Sequence, residues 1–264
     1  AVEPRAGMAT VTHDGRETAY WVDEAEADGL VVLFVHGSGQ RHDVWREQTG
    51  REGYTAATLD LSGHGESEDV DTEAGPETMA AYVDDVAAVA REVDADVIAG
   101  HSLGGAVVQT LVRDGAYDPE AVVLAGTGAK LGIGEDVGAL LGDDVEPILQ
   151  FMRSANVLFE DTDHPAAGPT DDLMREVGIR MLSRDLSTCD TFDVRDRLDE
   201  ITLPALCIVG DNDSLTPPTF SEYLVENLPD AEYAEVPGTS HMAMLENSEA
   251  FNEGLDGFLT DRVR

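Results

Sequence analysis

The stretch that most restricts the fold of this chain is Gly100-His101-Ser102-Leu103-Gly104-Gly105. An apolar run, Val97-Ile98-Ala99, stops at Gly100, and an amphipathic run carrying Val107, Val108, Leu111 and Val112 starts just past Gly105. A strand therefore hands over to a helix through a turn with glycines on both sides of a serine. So short a turn needs backbone that no Cβ obstructs. Gly-x-Ser-x-Gly between strand and helix is a nucleophile elbow, in which a strained turn lifts the hydroxyl above the sheet. A glycine-rich turn with an incidental serine would carry the same five residues, so the rest of the chain decides.

Residues 8–23 read as two short strands turning at Asp14-Gly15, a dipeptide favoured in hairpins. Residues 30–35 are uniformly apolar, as in a parallel strand covered on both faces, and end in His36-Gly37-Ser38-Gly39. A second buried strand, 54–59, leads into Asp60-Leu61-Ser62-Gly63-His64-Gly65-Glu66-Ser67. From 76 to 93 apolar residues recur at three- and four-residue intervals behind Pro76, which predicts an amphipathic helix. The elbow strand at 96–99, its helix to about 115 and a buried strand at 121–125 continue the alternation. The pattern predicts an α/β fold with a mostly parallel, doubly wound sheet. Right-handed crossovers then put the strand carboxyl ends, where the motifs lie, along one edge.

From about 128 to 198 the rhythm breaks, leaving helical patches at 145–159 and 173–186 around a breaker-rich stretch at 161–169. So long a strand-free segment exceeds a plain connection and reads as an inserted helical cap. The predicted organisation is core 1–127, cap 128–198 and core 199–264. The second core part reads as a strand at 205–209, a helix from Pro218, a strand at 233–236 and a final helix over 244–259.

A serine hydroxyl is a weak nucleophile until a base takes its proton, and the base needs a carboxylate to fix its tautomer. Of the seven histidines (His13, His36, His42, His64, His101, His164 and His241), only His241 follows the last predicted strand. Acid candidates Asp211 and Asp213 follow the strand at 205–209, where polar residues could also simply end it. Serine, then aspartate, then histidine is the chain order of one known triad arrangement.

Taken in register, these motifs resemble the α/β-hydrolase superfamily. The chain is most similar to its capped carboxylesterases and their relatives, the meta-cleavage C–C hydrolases and cofactor-free haloperoxidases. His36-Gly37-Ser38-Gly39 matches the oxyanion loop, Asp60 to Ser67 the Asp-x-x-Gly-x-Gly-x-Ser turn, and His241 with Glu246 the terminal histidine segment. The resemblance implies that Asp213, four residues before Pro217, is the acid and that Asp211 shapes the turn. It implies a serine carboxylic-ester hydrolase in which Ser102 attacks, His241 accepts its proton and Asp213 steadies the imidazolium. The N–H groups of Ser38 and Leu103 would hold the oxyanion. Serine at the nucleophile position argues against haloalkane dehalogenases and epoxide hydrolases. A C–C hydrolase or haloperoxidase would use the same machinery, and Arg153, Arg175, Arg180 and Arg184 could serve a C–C hydrolase as its carboxylate-binding cation. A non-catalytic receptor retaining the fold is the reading of another class. No phosphate loop and no His-Glu-x-x-His pair occurs, so no cofactor and no metal is expected.

Other residues take duller readings. His64 reads as a turn histidine, His36 as a support of the oxyanion loop, and His101 as pocket lining or core. Lys130 is a candidate for attracting an acidic substrate or a plain surface residue. The pairs Asp143-Asp144 and Asp171-Asp172 read as solvated surface. Trp45, Phe151, Met152, Phe159 and Met181 read as acyl-pocket wall or core. Cys207 lies in an apolar run and, with Cys189, makes no disulfide framework.

Composition adds the setting. The chain carries 54 acidic against 16 basic residues, a net charge of -38, and one lysine. Such a surface repels itself in dilute buffer, and the repulsion is largely screened at about 1 M salt, where the Debye length is roughly 3 Å. This predicts a protein of a salt-rich, halophilic cytoplasm that avoids nucleic acid and anionic membranes and acts on a small-molecule ester. No apolar run reaches bilayer-spanning length, and Ala1 to Arg5 lacks the basic and apolar regions of a signal peptide.

Overall fold

The computed structural model describes residues 7–23 and 29–263; the terminal stretch Ala1 to Arg5, read above for a targeting signal, lies outside them. In chain order the strands are β1 (Gly7–His13), β2 (Arg16–Val22), β3 (Val31–Val35), β4 (Thr55–Leu59), β5 (Val97–His101), β6 (Ala121–Ala125), β7 (Ala205–Gly210) and β8 (Ala231–Val236). The helices are α1 (Pro76–Glu92), α2 (Leu103–Arg113), α3 (Glu135–Leu140), α4 (Glu146–Ser154), α5 (Ala167–Val177), α6 (Ile179–Asp190), α7 (Pro218–Asn227), α8 (Ala243–Glu246) and α9 (Ser248–Arg262).

The strands form one sheet in the order β1-β2-β4-β3-β5-β6-β7-β8. Strand β2 pairs antiparallel with β1 and β4; the pairs from β4 to β8 are parallel. The central strands are continuous apolar runs because both faces are covered. Leu33 and Val35 of β3 enter one core with Val86, Val107 and Leu111, while Val32 and Phe34 enter the other with Trp45, Phe251 and Leu255. This period-two division shows that one sheet separates two apolar layers. At the edge, β8 alternates over its second half, with Tyr233 and Glu235 exposed and Ala234 and Val236 less so.

The strand order reverses at β3, which has β4 on one side and β5 on the other. Two loops leaving neighbouring strand ends at such a switch point part and open a crevice. Val35 pairs with Gly100, so the segment starting at His36 and the elbow leave the sheet side by side. Gly210 pairs with Val236, which does the same for the segments holding Asp213 and His241.

Several element boundaries differ from the sequence reading. Strand β5 continues two residues past Ala99, because Gly100 and His101 still pair with Leu124 and Ala125. The patch at 173–186 is two helices meeting at Gly178, whose φ of +84° only glycine adopts easily. Helix α5 begins inside the breaker-rich stretch, with Pro169 in its first turn, where a missing N–H costs nothing. The terminal helix is interrupted at Asn247, whose side chain accepts the Ala250 N–H and restarts the helix as α9. Between β6 and β7 the chain forms α3 to α6 and a 3-10 turn, Arg195–Glu200, with no strand of the sheet; helix α3 has no counterpart in the sequence reading. An isolated antiparallel bridge between Lys130 and Asp193 draws the two ends of this segment together.

Candidate active site

Ser102 is the one residue between β5 and α2, with φ +54° and ψ −115°, a strained conformation for a residue with a Cβ. Close backbone approach explains the flanking glycines. A Cβ on Gly100 would stand 2.3 Å from the Gly104 carbonyl oxygen, and one on Gly104 would stand 2.5 Å from that of Val35. The turn is tied down by Ser102 N–H donating to Ala125 (2.9 Å) and by Thr127 Oγ1 donating to the Ser102 carbonyl (2.8 Å).

Beyond β7, Asp213 is buried, and its Oδ2 lies 2.8 Å from His241 Nδ1. The other oxygen, Oδ1, accepts the N–H groups of Leu215 and Thr216, each at 2.9 Å, and Thr216 Oγ1 donates to Oδ2 at 2.9 Å. Burial opposes ionisation of this carboxyl, but the His241 ring and the Thr216 donors together hold it below the usual carboxylate range. With Nδ1 donating to Asp213, the lone pair of His241 sits on Nε2. Asp211 takes the turn-shaping place: its Oδ1 accepts the Thr239 N–H at 3.1 Å.

Ser102, Ser38, Gln40, Thr216 and His241 are polar residues lining one cavity, whose remaining wall includes Leu131, Met152, Leu158, Met174, Leu182, Leu186, Leu215 and Phe220. Ser102 and His241 thus share a cavity without forming a hydrogen bond to each other, as is common before substrate tightens such a site. Leu103 opens α2, so its N–H has no intrahelical acceptor, and the helix dipole adds positive potential there. In the loop after β3, Gly37 N–H donates to Gln40 Oε1, Gly39 N–H to Asp185 Oδ2 and Gln40 N–H to the Gly37 carbonyl. Between Gly37 and Gln40, the Ser38 N–H is the one with no acceptor among the described residues.

His101 does not line the cavity. It is buried, its Nε2 lies 3.0 Å from the His241 carbonyl oxygen, and its ring packs on that of His241 at 4.6 Å. His36 supports the loop region by accepting the Leu61 N–H at its Nε2 (3.1 Å). Asp60 accepts the His42 and Glu66 N–H groups at 2.7 and 2.9 Å, while Ser67 Oγ donates to its carbonyl (2.6 Å); the Asp-x-x-Gly-x-Gly-x-Ser turn is a scaffold. Glu246 holds the histidine segment through the Ser240 N–H (2.8 Å).

Several residues fall elsewhere than the sequence suggested. Of the five candidate wall residues, Met152 lines the cavity; Trp45, Phe159 and Met181 are buried away from it, and Phe151 packs against the core. Asp171 is buried and paired with Arg153, because α5 turns it inward, and does not belong to the solvated surface. Arg175 pairs with Glu146 and Asp172, and Arg180 and Arg184 pair with Asp69; no lysine, arginine, aspartate or glutamate lines the cavity among the described residues. Lys130 is exposed beside Asp193. Thr216, Gln40 and Asp185 carried no local signal, since their roles arise from partners brought in by the fold. No group of three His, Cys, Asp or Glu suited to a metal ion occurs among the described residues, and no helix there is long and apolar enough to cross a membrane.

The alpha/beta hydrolase family model matches residues 32–253, spanning the elbow, both acid candidates and His241. The chain belongs to that family. This α/β hydrolase is 28% identical over 238 residues to a pimeloyl-[acyl-carrier protein] methyl ester esterase of Neisseria meningitidis serogroup C, covering 83% of the chain and 90% of that protein. It is 27% identical over 279 residues to a 2-hydroxy-6-oxononadienedioate/2-hydroxy-6-oxononatrienedioate hydrolase of Cupriavidus pinatubonensis, covering 96% of the chain and 94% of that protein. Among solved structures, a thermophilic esterase superposes with a TM-score of 0.84 at 28% identity, covering 97% of this chain and 98% of that one.

Proposed function

We propose that this α/β hydrolase cleaves carboxylic esters through an acyl-enzyme on Ser102. The observation that carries the reading is a serine held at positive φ in one cavity with a histidine whose Nδ1 is bonded to a buried aspartate. Its likeness to proteins named as esterases supports the bond type.

In this mechanism His241 Nε2 takes the Ser102 proton as Oγ attacks the ester carbonyl. Asp213 stabilises the imidazolium, and the free N–H groups of Ser38 and Leu103 receive the oxyanion. The alcohol leaves with the proton from His241. Water, deprotonated by the same ring, then attacks the acyl-enzyme and releases the acid. The segment at 128–198 acts as a cap, with Met152, Leu158, Met174, Leu182 and Leu186 over the reacting carbonyl. An apolar, uncharged wall favours neutral acyl groups. It disfavours a C–C substrate bearing a carboxylate, for which the wall offers no cation. The acid-rich surface supports work in a salt-rich cytoplasm.

Release of p-nitrophenol from acetate, butyrate and octanoate esters, at low and multimolar KCl, tests this reading. Ser102→Ala is expected to lower turnover by about 10⁴-fold or more, and wild-type turnover to rise with salt. Butyrate and octanoate should surpass acetate, and a terminal carboxylate on the acyl chain should lower kcat/KM about tenfold or more. Turnover that survives in Ser102→Ala would refute the nucleophile assignment; preference for the carboxylate-bearing ester would refute the neutral-acyl assignment.

A further inference from the structure

The loop that carries Ser38 is gripped from the segment between β6 and β7. Asp185, in the middle of α6, is fully buried and accepts three hydrogen bonds: from Gly39 N–H (2.8 Å), from His64 Nε2 (2.9 Å) and from the Tyr82 hydroxyl (2.6 Å). The same face of α6 places Leu182 where a Cβ on Gly39 would come within 2.9 Å of it, and Cys189 Sγ 3.6 Å from Ser38 Oγ. Burial opposes charge on both members of the Asp185–His64 pair, yet their mutual attraction and hydrogen bond hold the carboxyl below its ordinary range and the imidazole above. A buried carboxylate with three donors is fixed in place, because losing any of them leaves charge unpaired in an apolar surround.

The geometric consequence falls on the neighbouring peptide. Gly39 has φ +65°, and with its N–H committed to Asp185 and that of Gly37 to Gln40, the peptide between them is held from both ends. What remains free is the Ser38 N–H.

We propose that Asp185 is a positioning residue for the oxyanion hole, anchored by His64 and Tyr82, which fixes the Gly39 amide and thereby aims the Ser38 N–H at the oxyanion. Because Asp185 sits on α6, a shift of that helix withdraws the anchor. Catalytic competence is then tied to the docked position of the helix that also walls the cavity with Leu182 and Leu186.

The inference rests on the ester-hydrolase reading of the site, and the test separates the two. Wild type, Asp185→Asn and the milder Tyr82→Phe are compared for p-nitrophenyl butyrate turnover. They are also compared for inhibition by butylboronic acid, whose tetrahedral serine adduct uses the oxyanion hole, and by a neutral butyramide, which fills the cavity without forming one. In Asp185→Asn the charge that binds His64 is lost and one oxygen is left to accept where two accepted before, which loosens the anchor, so kcat should fall about 10- to 100-fold with KM nearly unchanged. Boronate affinity should fall by a similar factor, with butyramide affinity unaltered. Tyr82→Phe should move kcat and boronate affinity together by roughly two- to fivefold, which keeps the test open if Asp185→Asn does not fold. Folded variants with wild-type kcat, or with boronate and butyramide weakened alike, would overturn the positioning role and leave the ester-hydrolase reading standing. A wild type that neither hydrolyses the ester nor binds boronate would overturn both.

Discussion

Two buried histidines work against this fold in acid. Burial pushes His36 down to about 4 and His101 down to about 3, so both rings stay neutral in the fold. Between the unfolded value near 6.5 and those folded values, the unfolded chain binds protons that the native state refuses, so stability falls as pH drops through that window. The full shifts correspond to roughly 3–5 kcal/mol for each ring. His64 works in the opposite sense. Its raised value contributes stability that is complete below about 6.5 and lost as pH rises through its folded pKa. Calorimetry at fixed multimolar KCl between pH 4 and 7 should show the unfolding temperature rising with pH, and His101→Gln should flatten that rise; an unchanged slope would contradict the assignment. The Asp213–His241 pair was legible only in part: His241 stands after the last strand, while chain position left Asp211 and Asp213 open and the family resemblance chose between them. Asp185, one carboxylate among 54 acidic residues, had no local mark, and its partners lie 146, 121 and 103 residues away.

At the scale of elements, the elbow is decided by backbone approach. Gly104→Ala places a Cβ against two carbonyl oxygens, those of Val35 and His36, on a strand that cannot retreat. It should destabilise by about 3 kcal/mol or more and abolish turnover. Gly257→Ala, within α9 and with nothing within 4 Å of the added Cβ, should instead stabilise by about 0.5–1 kcal/mol. Urea unfolding of the two variants checks both signs; equal effects would contradict this account of the elbow. Strands β3, β6 and β7 were legible because strands covered on both faces are unbroken apolar runs. The split between α5 and α6 was not, because an isolated glycine is tolerated within helices, and Gly178 becomes a break when α6 turns to lay Leu182 and Asp185 on the loop after β3.

For the molecule as a whole, a net charge of -38 opposes compactness until salt screens it. The Debye length falls from about 10 Å at 0.1 M to about 3 Å at 1 M. The unfolding temperature should therefore climb steeply in KCl up to about 1 M and more slowly beyond; a flat or falling profile would contradict salt adaptation. Composition alone carries that expectation, whereas the shape of the cavity emerges when helices distant in sequence close over the switch point of the sheet. That Ser102 is the nucleophile within this cavity is tested most directly by mass spectrometry of the protein after exposure to diethyl p-nitrophenyl phosphate, which phosphorylates an activated serine. A single diethylphosphoryl group on the peptide containing Ser102, absent from Ser102→Ala, is the predicted result. No labelling of the folded wild type, or labelling that persists in Ser102→Ala, would contradict it.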